Sequence, residues 1–199
     1  MDARQHSPSA ARNRGPILDA LRPRLPAAGL VLEVASGTGE HAAHLAAALP
    51  GLAFQPTDPQ PEALASIGAW CAGLTNVRPA LALDAAAARW PVAAADAVLC
   101  VNMVHIAPWA AVEGLVAGAA RVLPPGGLLA LYGPYMRGGR HTGPGNAAFD
   151  ADLRARNPAW GVRALEDVAA LAAAAGFGAP EAVQMPADNL LLAFRHRPA

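Results

Sequence analysis

The fold is decided by the stretch Leu30-Val31-Leu32-Glu33-Val34-Ala35-Ser36-Gly37-Thr38-Gly39-Glu40-His41. Apolar, partly β-branched residues lead into a loop of small residues and then into an alanine-rich segment over 42–49, a pattern that predicts strand, tight turn and helix. Gly37 and Gly39 let the backbone turn sharply and let a ligand approach closely. Because a helix N-terminus with unpaired N–H groups follows, we expect a cofactor to bind at this loop.

Two kinds of cofactor fit this loop. Gly37-x-Gly39-x-x-Ala42 matches the dinucleotide fingerprint, with Asp58 after the next strand as a ribose ligand. The pattern Glu33-x-Ala35-x-Gly37-x-Gly39 resembles motif I of class I S-adenosylmethionine (SAM) methyltransferases, with alanine at the first glycine. A carboxylate at the end of the strand would repel a pyrophosphate, whereas it would stabilise the ammonium and sulfonium groups of SAM. The acid therefore favours SAM, with S-adenosylhomocysteine as the product.

Composition excludes several other classes of protein. The 199 residues are 54% hydrophobic, which is enough for one core, so we expect residues 1–199 to form a single domain. The formal net charge is zero and lysine is absent, so the chain lacks the basic stripe of a nucleic-acid binder. Segment 1–14 has no signal-peptide pattern, and the longest apolar region, 92–111, is interrupted by polar residues. We expect a cytoplasmic protein with a small-molecule substrate, no membrane or nucleic-acid partner and no metal; the sequence does not indicate the oligomeric state.

Strands and helices alternate along the chain. We predict strands over 30–34, 52–57, 77–83, 95–101, 128–132, 181–185 and 190–194, and helices over 16–25, 42–49, 61–73, 108–123, 147–156 and 165–175. This alternation predicts an α/β fold with a parallel sheet, right-handed crossovers and helices on both faces. Residues 1–14 are expected to form an arm outside the core, and the glycine-rich segment 133–146 is expected to be a long functional loop.

Polar residues follow four of the predicted strands. In parallel sheets ligands bind beyond the carboxyl ends of the strands, where Glu33, Asp58, Asp84 and Asn102 would meet. With SAM bound, Glu33 would face the methionine ammonium and Asp58 would accept the ribose hydroxyls. Asp84 and the Ala85 N–H would contact adenine. The other residues predicted to bind the cofactor are Ala35, Ser36, Gly37, Thr38, Gly39, Pro59, Asn102 and Met103.

Two other functions remain open from these residues. An NAD(P)-dependent oxidoreductase could use the same sheet, but it explains Glu33 and Asp84 poorly and would usually need a lysine for proton transfer. A non-catalytic SAM-binding regulatory protein would keep the cofactor site without turnover. Each carboxylate taken singly is also a common strand-end or helix-cap residue.

Over nearly its whole length the chain resembles a small class I methyltransferase-like family catalogued as a domain of unknown function. The matching blocks are 7–18, 33–39, 55–59, 102–109, 131–135, 139–142, Asn146 with Phe149-Asp150, and 157–167. The chain departs from the family pattern at Ala35, Gly143 and Gly145. The resemblance implies a Rossmann-like class I methyltransferase fold, with a mostly parallel seven-stranded sheet and an antiparallel C-terminal strand, and SAM as cofactor. It leaves the methyl acceptor open.

The expected chemistry places few demands on side chains. Methyl transfer is an in-line displacement, so alignment supplies most of the acceleration and a base is needed only for a protonated acceptor. The candidate catalytic residues are His105, His141 and Tyr135, although His105 could equally be a core histidine and His141 an exposed one. The candidate substrate-binding residues are Arg12, Asn13, Tyr132, Tyr135, Arg140, His141, Asn146 and Phe149.

These residues lead to one functional hypothesis. The chain would transfer a methyl group to a nitrogen, sulfur or heavier chalcogen atom of a small polar metabolite, with heteroaromatic compounds among the candidates. An N-terminal arm or lid over 1–16 and a substrate-side insertion over 133–160 would cover the pocket.

Overall fold

One sheet runs through the centre of the molecule in the computed structural model, which describes residues 2–198. Its strands are β1 (Gly29–Val34), β2 (Leu52–Asp58), β3 (Leu81–Ala82), β4 (Ala97–Val101), β5 (Leu128–Arg137), β6 (Arg140–His141), β7 (Arg163–Ala164), β8 (Glu181–Gln184) and β9 (Asn189–Arg195). The strand order is β3-β2-β1-β4-β5-β9-β8, and β6 and β7 pair with the end of β5 outside this path. The pairs from β3 through β5 are parallel, whereas β9 lies antiparallel between β5 and β8. The predicted seven-stranded sheet with an antiparallel C-terminal strand is confirmed.

Helices cover both faces of this sheet, as predicted. They are α1 (Pro8–Leu21), α2 (Glu40–Ala48), α3 (Pro61–Trp70), α4 (Trp109–Val122), α5 (Pro144–Arg156) and α6 (Leu165–Ala174). Strand residues alternate between two cores: Val31 packs in the cluster that holds α1 and α2, and Leu32 packs in the cluster that holds α4 and α6. A sheet that is covered in this way leaves the ends of its strands as the accessible edge.

The prediction of an N-terminal arm over 1–14 and a helix over 16–25 was wrong. Helix α1 begins at Pro8 and ends at Leu21, and Pro16 lies inside it. Ser7 caps the helix by accepting a hydrogen bond from the Ala10 N–H at 3.3 Å, and Pro8 occupies the first turn, where its missing N–H costs nothing. The preference of proline for the start of a helix therefore applies to Pro8 and not to Pro16.

Two other predicted segments differ in extent. The strand expected over 77–83 is reduced to Leu81–Ala82 and one bridge between Phe54 and Val77, because Pro79 cannot donate to the ladder. The loop expected over 133–146 is largely structured: β5 continues to Arg137, β6 returns beside it, and α5 begins at Pro144. Within the structured residues, no helix has the length and apolar character that a membrane span requires.

Candidate functional site

The loop between β1 and α2 bends through three left-handed residues. Ala35, Gly37 and Gly39 have φ values of 58°, 56° and 87°. A Cβ on Gly39 would lie 2.7 Å from the Cα of Ile67, so glycine is needed there for the close approach of α3. A Cβ on Gly37 would meet nothing within 4 Å. The loop is therefore packed on one side and open on the other.

Asp58 lies at the end of β2 and is fixed against this loop. Its Oδ2 accepts the Gly37 N–H at 2.9 Å, and its Oδ1 accepts the Gln60 N–H at 3.0 Å. The side chain is buried. Because each carboxylate oxygen has a second lone pair, Asp58 can still accept hydrogen bonds from a ligand above the loop.

Glu33 is a buried acid without a partner. The residue is 2% exposed, and neither carboxylate oxygen has a hydrogen-bond partner among residues 2–198. The pKa of Glu33 is raised to about 7, chiefly by burial and to a smaller extent by the charge of Asp58, while the Ser36 side chain acts in the opposite direction. The Ser36 hydroxyl itself donates to the main-chain carbonyl of Glu33, at 3.4 Å. An unpaired buried carboxylate is costly, so this position is complete only when a cation or hydrogen-bond donor lies against it.

Asp84 and Asn102 lie at the same edge of the sheet. Asp84 is exposed beyond β3, and its Oδ1 accepts the Ala86 N–H at 2.9 Å. Asn102 follows β4 in a left-handed conformation and donates its N–H to the Tyr132 carbonyl at 2.8 Å, with Met103 buried behind it. The topology thus brings all four predicted polar residues to the carboxyl ends of adjacent strands.

The N-terminal segment is tied to the same loop. Oε2 of the buried Glu40 accepts the Ser7 N–H at 2.7 Å and the Thr38 hydroxyl at 3.0 Å. Nε2 of His41 and Oδ1 of Asn13 are 2.8 Å apart. Glu40 is not among the site residues predicted from the sequence, although an acid in the first turn of a helix directly after a glycine loop is a usable signal. The start of α1 is therefore hydrogen-bonded to the loop and to the helix that follows it.

A cavity of about 600 Å³ lies at the end of β4, against Tyr132 and Pro134 of β5. Asn102 lines it, so this residue lies between the carboxylate-lined edge and the cavity. Five of the predicted substrate residues also line it: Arg12, Asn13, Tyr132, Asn146 and Phe149. The sequence analysis missed its remaining walls, chiefly Ser9, Ile106, Pro134 and the β8–β9 turn at Pro186, Ala187 and Asn189. That turn is distant in sequence, and only the antiparallel insertion of β9 brings it here.

His105 and Tyr135 lie in the core and not on the cavity wall. Both are 0% exposed, and their rings meet edge to face with centroids 4.8 Å apart. The Arg163 N–H donates to Nδ1 of His105 at 3.3 Å, and burial, helped by the Arg163 charge, lowers the pKa of His105 to about 3. Burial also raises the pKa of Tyr135 well above its usual range. Neither residue lines the cavity, and the burial of His105 corresponds to its core interpretation. Nε2 of His105 and the Tyr135 hydroxyl have no hydrogen-bond partner among residues 2–198.

His141 and Arg140 also lie away from the cavity. Both belong to β6, where Arg140 is exposed and Nε2 of His141 lies 3.5 Å from Oδ2 of Asp150. Asp150 is itself held by the Val162 N–H at 2.7 Å. The contacts of His141 are therefore those of a residue that fastens α5 to the sheet.

The chain matches a known family over nearly its whole length. Residues 4–196 match the family described as "Protein of unknown function (DUF938)". The chain belongs to this family. The predicted resemblance to a methyltransferase-like family of unknown function is thereby confirmed.

Two solved methyltransferases and a third solved protein share the fold of this DUF938 protein. Human N-acetylserotonin methyltransferase in complex with SAM superposes with a TM-score of 0.80 at 15% identity, covering 94% of this chain and 52% of that one. An O-methyltransferase family protein from Burkholderia thailandensis gives 0.80 at 20% identity, with 94% and 57% covered. The YcgJ protein from Bacillus subtilis gives 0.71 at 17% identity, with 95% and 100% covered. The chain spans about half the length of the first two proteins, and the likeness establishes the Rossmann-like methyltransferase fold.

Proposed function

We propose that this protein is a SAM-dependent methyltransferase that acts on a nitrogen, sulfur or heavier chalcogen atom of a small polar metabolite. The observation that carries the proposal is the unpartnered, buried carboxylate of Glu33, beside Asp58 and below an open glycine loop. A cationic cofactor would complete that position. The methyltransferase fold supports the same conclusion.

The residues at the carboxyl edge fit the parts of SAM. Glu33 would compensate the methionine ammonium, directly or through the loop, and Asp58 would accept from the ribose hydroxyls while keeping its bond to Gly37. Asp84 and the Ala85 N–H would bind the adenine. When bound, SAM supplies a methyl group on a positively charged sulfur, which makes that methyl electrophilic. A dinucleotide would instead bring its pyrophosphate toward the uncompensated Glu33, so the same residues disfavour an NAD(P)-dependent oxidoreductase.

The protein's contribution is to align the acceptor and keep out water. Asn102 lies at the junction of the cofactor edge and the cavity, so an acceptor in the cavity would approach the methyl group beside it. The first half of α1 and the segment 133–160 both supply walls of the cavity, the former through Arg12 and Asn13 and the latter through Asn146 and Phe149. We assign these two segments the role of covering the substrate pocket of a single domain.

Transfer of a labelled methyl group tests this function. The purified protein is incubated with methyl-labelled SAM and a small-molecule extract, and mass spectrometry identifies the compound that gains the label. We expect one or a few labelled small molecules and an equal amount of S-adenosylhomocysteine. If the protein instead oxidises NAD(P)H in the extract and transfers no label, the proposed function becomes that of an oxidoreductase. Tight SAM binding without transfer to any compound would replace it by a non-catalytic SAM-binding protein.

A further inference from the structure

The cavity at the end of β4, in which we place the methyl acceptor, has one charged residue on its walls. Among the residues of 2–198 that line it, Arg12 alone carries a formal charge. The remaining polar groups are the amides of four asparagines and the hydroxyls of Ser9 and Tyr132. Arg12 takes part in none of the ion pairs found within the described part of the chain. Its guanidinium is therefore available to a ligand.

Three hydrogen-bond donors line the cavity together: the side chains of Arg12, Asn13 and Tyr132. Burial raises the pKa of Tyr132, and the Asn13 side chain and the charge of Arg12 act in the opposite direction. The phenol remains protonated at neutral pH and can donate. Oδ1 of Asn13 lies 2.8 Å from Nε2 of His41, a contact that does not use the amide N–H groups of Asn13. A guanidinium, a phenol and an amide together form a site for a negative charge.

Proton acceptors lie outside the same cavity. His105 is fully buried behind Gly133, where a Cβ on that glycine would be 2.5 Å from its Nε2. His141 is held at Asp150 beneath α5. An acceptor that had to lose a proton during the reaction would find no carboxylate or imidazole on the walls formed by the described residues. The cavity thus suits an acceptor whose reacting atom is already free of a proton.

Building on the proposed function, we infer that the methyl acceptor is a small anion whose negative charge pairs with Arg12 and whose nucleophilic atom carries no proton when it reacts. The charge can be on the nucleophile itself, as in a thiolate or selenolate, or on a carboxylate attached to a ring that bears an unprotonated nitrogen. A lone pair of the nucleophile forms the new bond to the methyl carbon. The carbon–sulfur bond of the sulfonium breaks, its electron pair stays on sulfur as a neutral thioether, and no proton is released.

Anion-exchange fractionation of the extract tests the charge of the acceptor. The fractions that a quaternary-ammonium resin retains and passes at pH 8 are incubated separately with methyl-labelled SAM. We expect label in the retained fraction. The acceptor isolated from it is then assayed with Arg12→Gln, with Arg12→Lys, and with Arg22→Gln, which removes the same charge from the exposed end of α1.

The three variants distinguish a direct contact between Arg12 and the acceptor from a general effect of positive charge on KM. Losing a charge-assisted bidentate contact should raise KM about 10- to 100-fold in Arg12→Gln with a smaller change in kcat, whereas Arg12→Lys should recover part of the loss. Arg22→Gln should match wild type, and all three should unfold at the wild-type temperature because both arginines are exposed.

Each other result has a definite meaning. Label only in the passed fraction overturns the anionic acceptor and leaves methyl transfer standing. An unchanged KM in Arg12→Gln overturns the role of Arg12. Label in neither fraction contradicts methyl transfer itself, and the inference falls with it.

Discussion

Ionised Glu33 lowers the stability of the unliganded protein, although the proposed function needs this carboxylate to face a cation. A carboxylate that is buried without a partner ionises only at a cost, and the pKa of about 7 in the folded protein measures that cost against the usual value of 4.5. The folded state therefore binds more protons than the unfolded state between these two pH values. The contribution of Glu33 to stability is present below pH 4.5 and is lost as pH rises to 7. A bound cation would restore it.

Glu33→Gln should separate the two effects. At pH 8 we expect the free energy of unfolding of the unliganded protein to rise by about 1–3 kcal/mol, because the ionisation cost is gone. At pH 5 the difference should shrink toward zero, since Glu33 is then mostly protonated. Denaturant titration at both pH values measures this, with Glu62→Gln on the exposed side of α3 as control. A variant less stable than wild type at pH 8 would show that Glu33 has a hidden partner.

Ala35 stands where the motif has glycine and adopts the conformation that glycine prefers. At a φ of 58° an L-residue with a Cβ is strained by roughly 1–2 kcal/mol, against an entropic cost of about 0.5–1 kcal/mol for glycine. Ala35→Gly should therefore stabilise the protein by about 0.5–1 kcal/mol in thermal or chemical unfolding. The same change at the exposed Ala47 of α2 should destabilise it by about 1 kcal/mol. If glycine destabilised the protein at both positions, the backbone at Ala35 would not be strained.

At the scale of elements, α1 is coupled to the cofactor loop through Glu40. Glu40→Ala removes the acceptor of the Ser7 N–H, so we expect a loss of about 1–3 kcal/mol and faster amide exchange over 7–16. The β5 core at 128–131 should keep its protection. Hydrogen exchange with mass spectrometry measures both, and Glu113→Ala on α4 is the matched control. Unchanged exchange over 7–16 would mean that other contacts hold α1 in place.

Elements that follow local rules could be predicted from the sequence, and those that depend on distant contacts could not. The strands β1, β2 and β4 and their parallel pairing follow from apolar runs that alternate with helical segments. The extension of β5 past Pro134 could not be foreseen, because it depends on pairing with β9 at Asn189 and with β7 at Tyr135. Glycine and proline are usually loop signals, and here tertiary pairing overrides them.

The same distinction applies to the site. The acids at the strand ends could be placed because parallel strands end at one edge. The cavity walls at Ala187 and Asn189 required the C-terminal hairpin. His105 could not be assigned because one sequence does not distinguish a core histidine from a base. The deciding observation is its burial against Tyr135 and Arg163.

For the whole molecule, buried histidines and Glu33 affect acid stability with opposite signs. Burial lowers the pKa of His41 to about 4 and of His105 to about 3, so the unfolded state takes up their protons first and stability falls as pH drops below 6.5. Glu33 opposes this fall between pH 7 and 4.5.

The balance predicts how stability changes between pH 6 and 5. We expect a loss of about 1.4 kcal/mol per pH unit in wild type and roughly twice that in Glu33→Gln, if these three groups dominate. Unfolding at closely spaced pH values measures the slope. If the free energy of unfolding depended on pH equally in wild type and Glu33→Gln, Glu33 would not oppose the effect of the histidines.

Calorimetric titration of SAM into the protein tests whether carboxylates on successive parallel strands hold this cofactor. Wild type should bind SAM, and Asp58→Ala should weaken binding by about 2–3 kcal/mol, because charge-assisted hydrogen bonds to the ribose are lost. The control Asp19→Ala, on the exposed face of α1, should bind as wild type does. Absence of binding to wild type, or equal affinity in Asp58→Ala, would contradict the account.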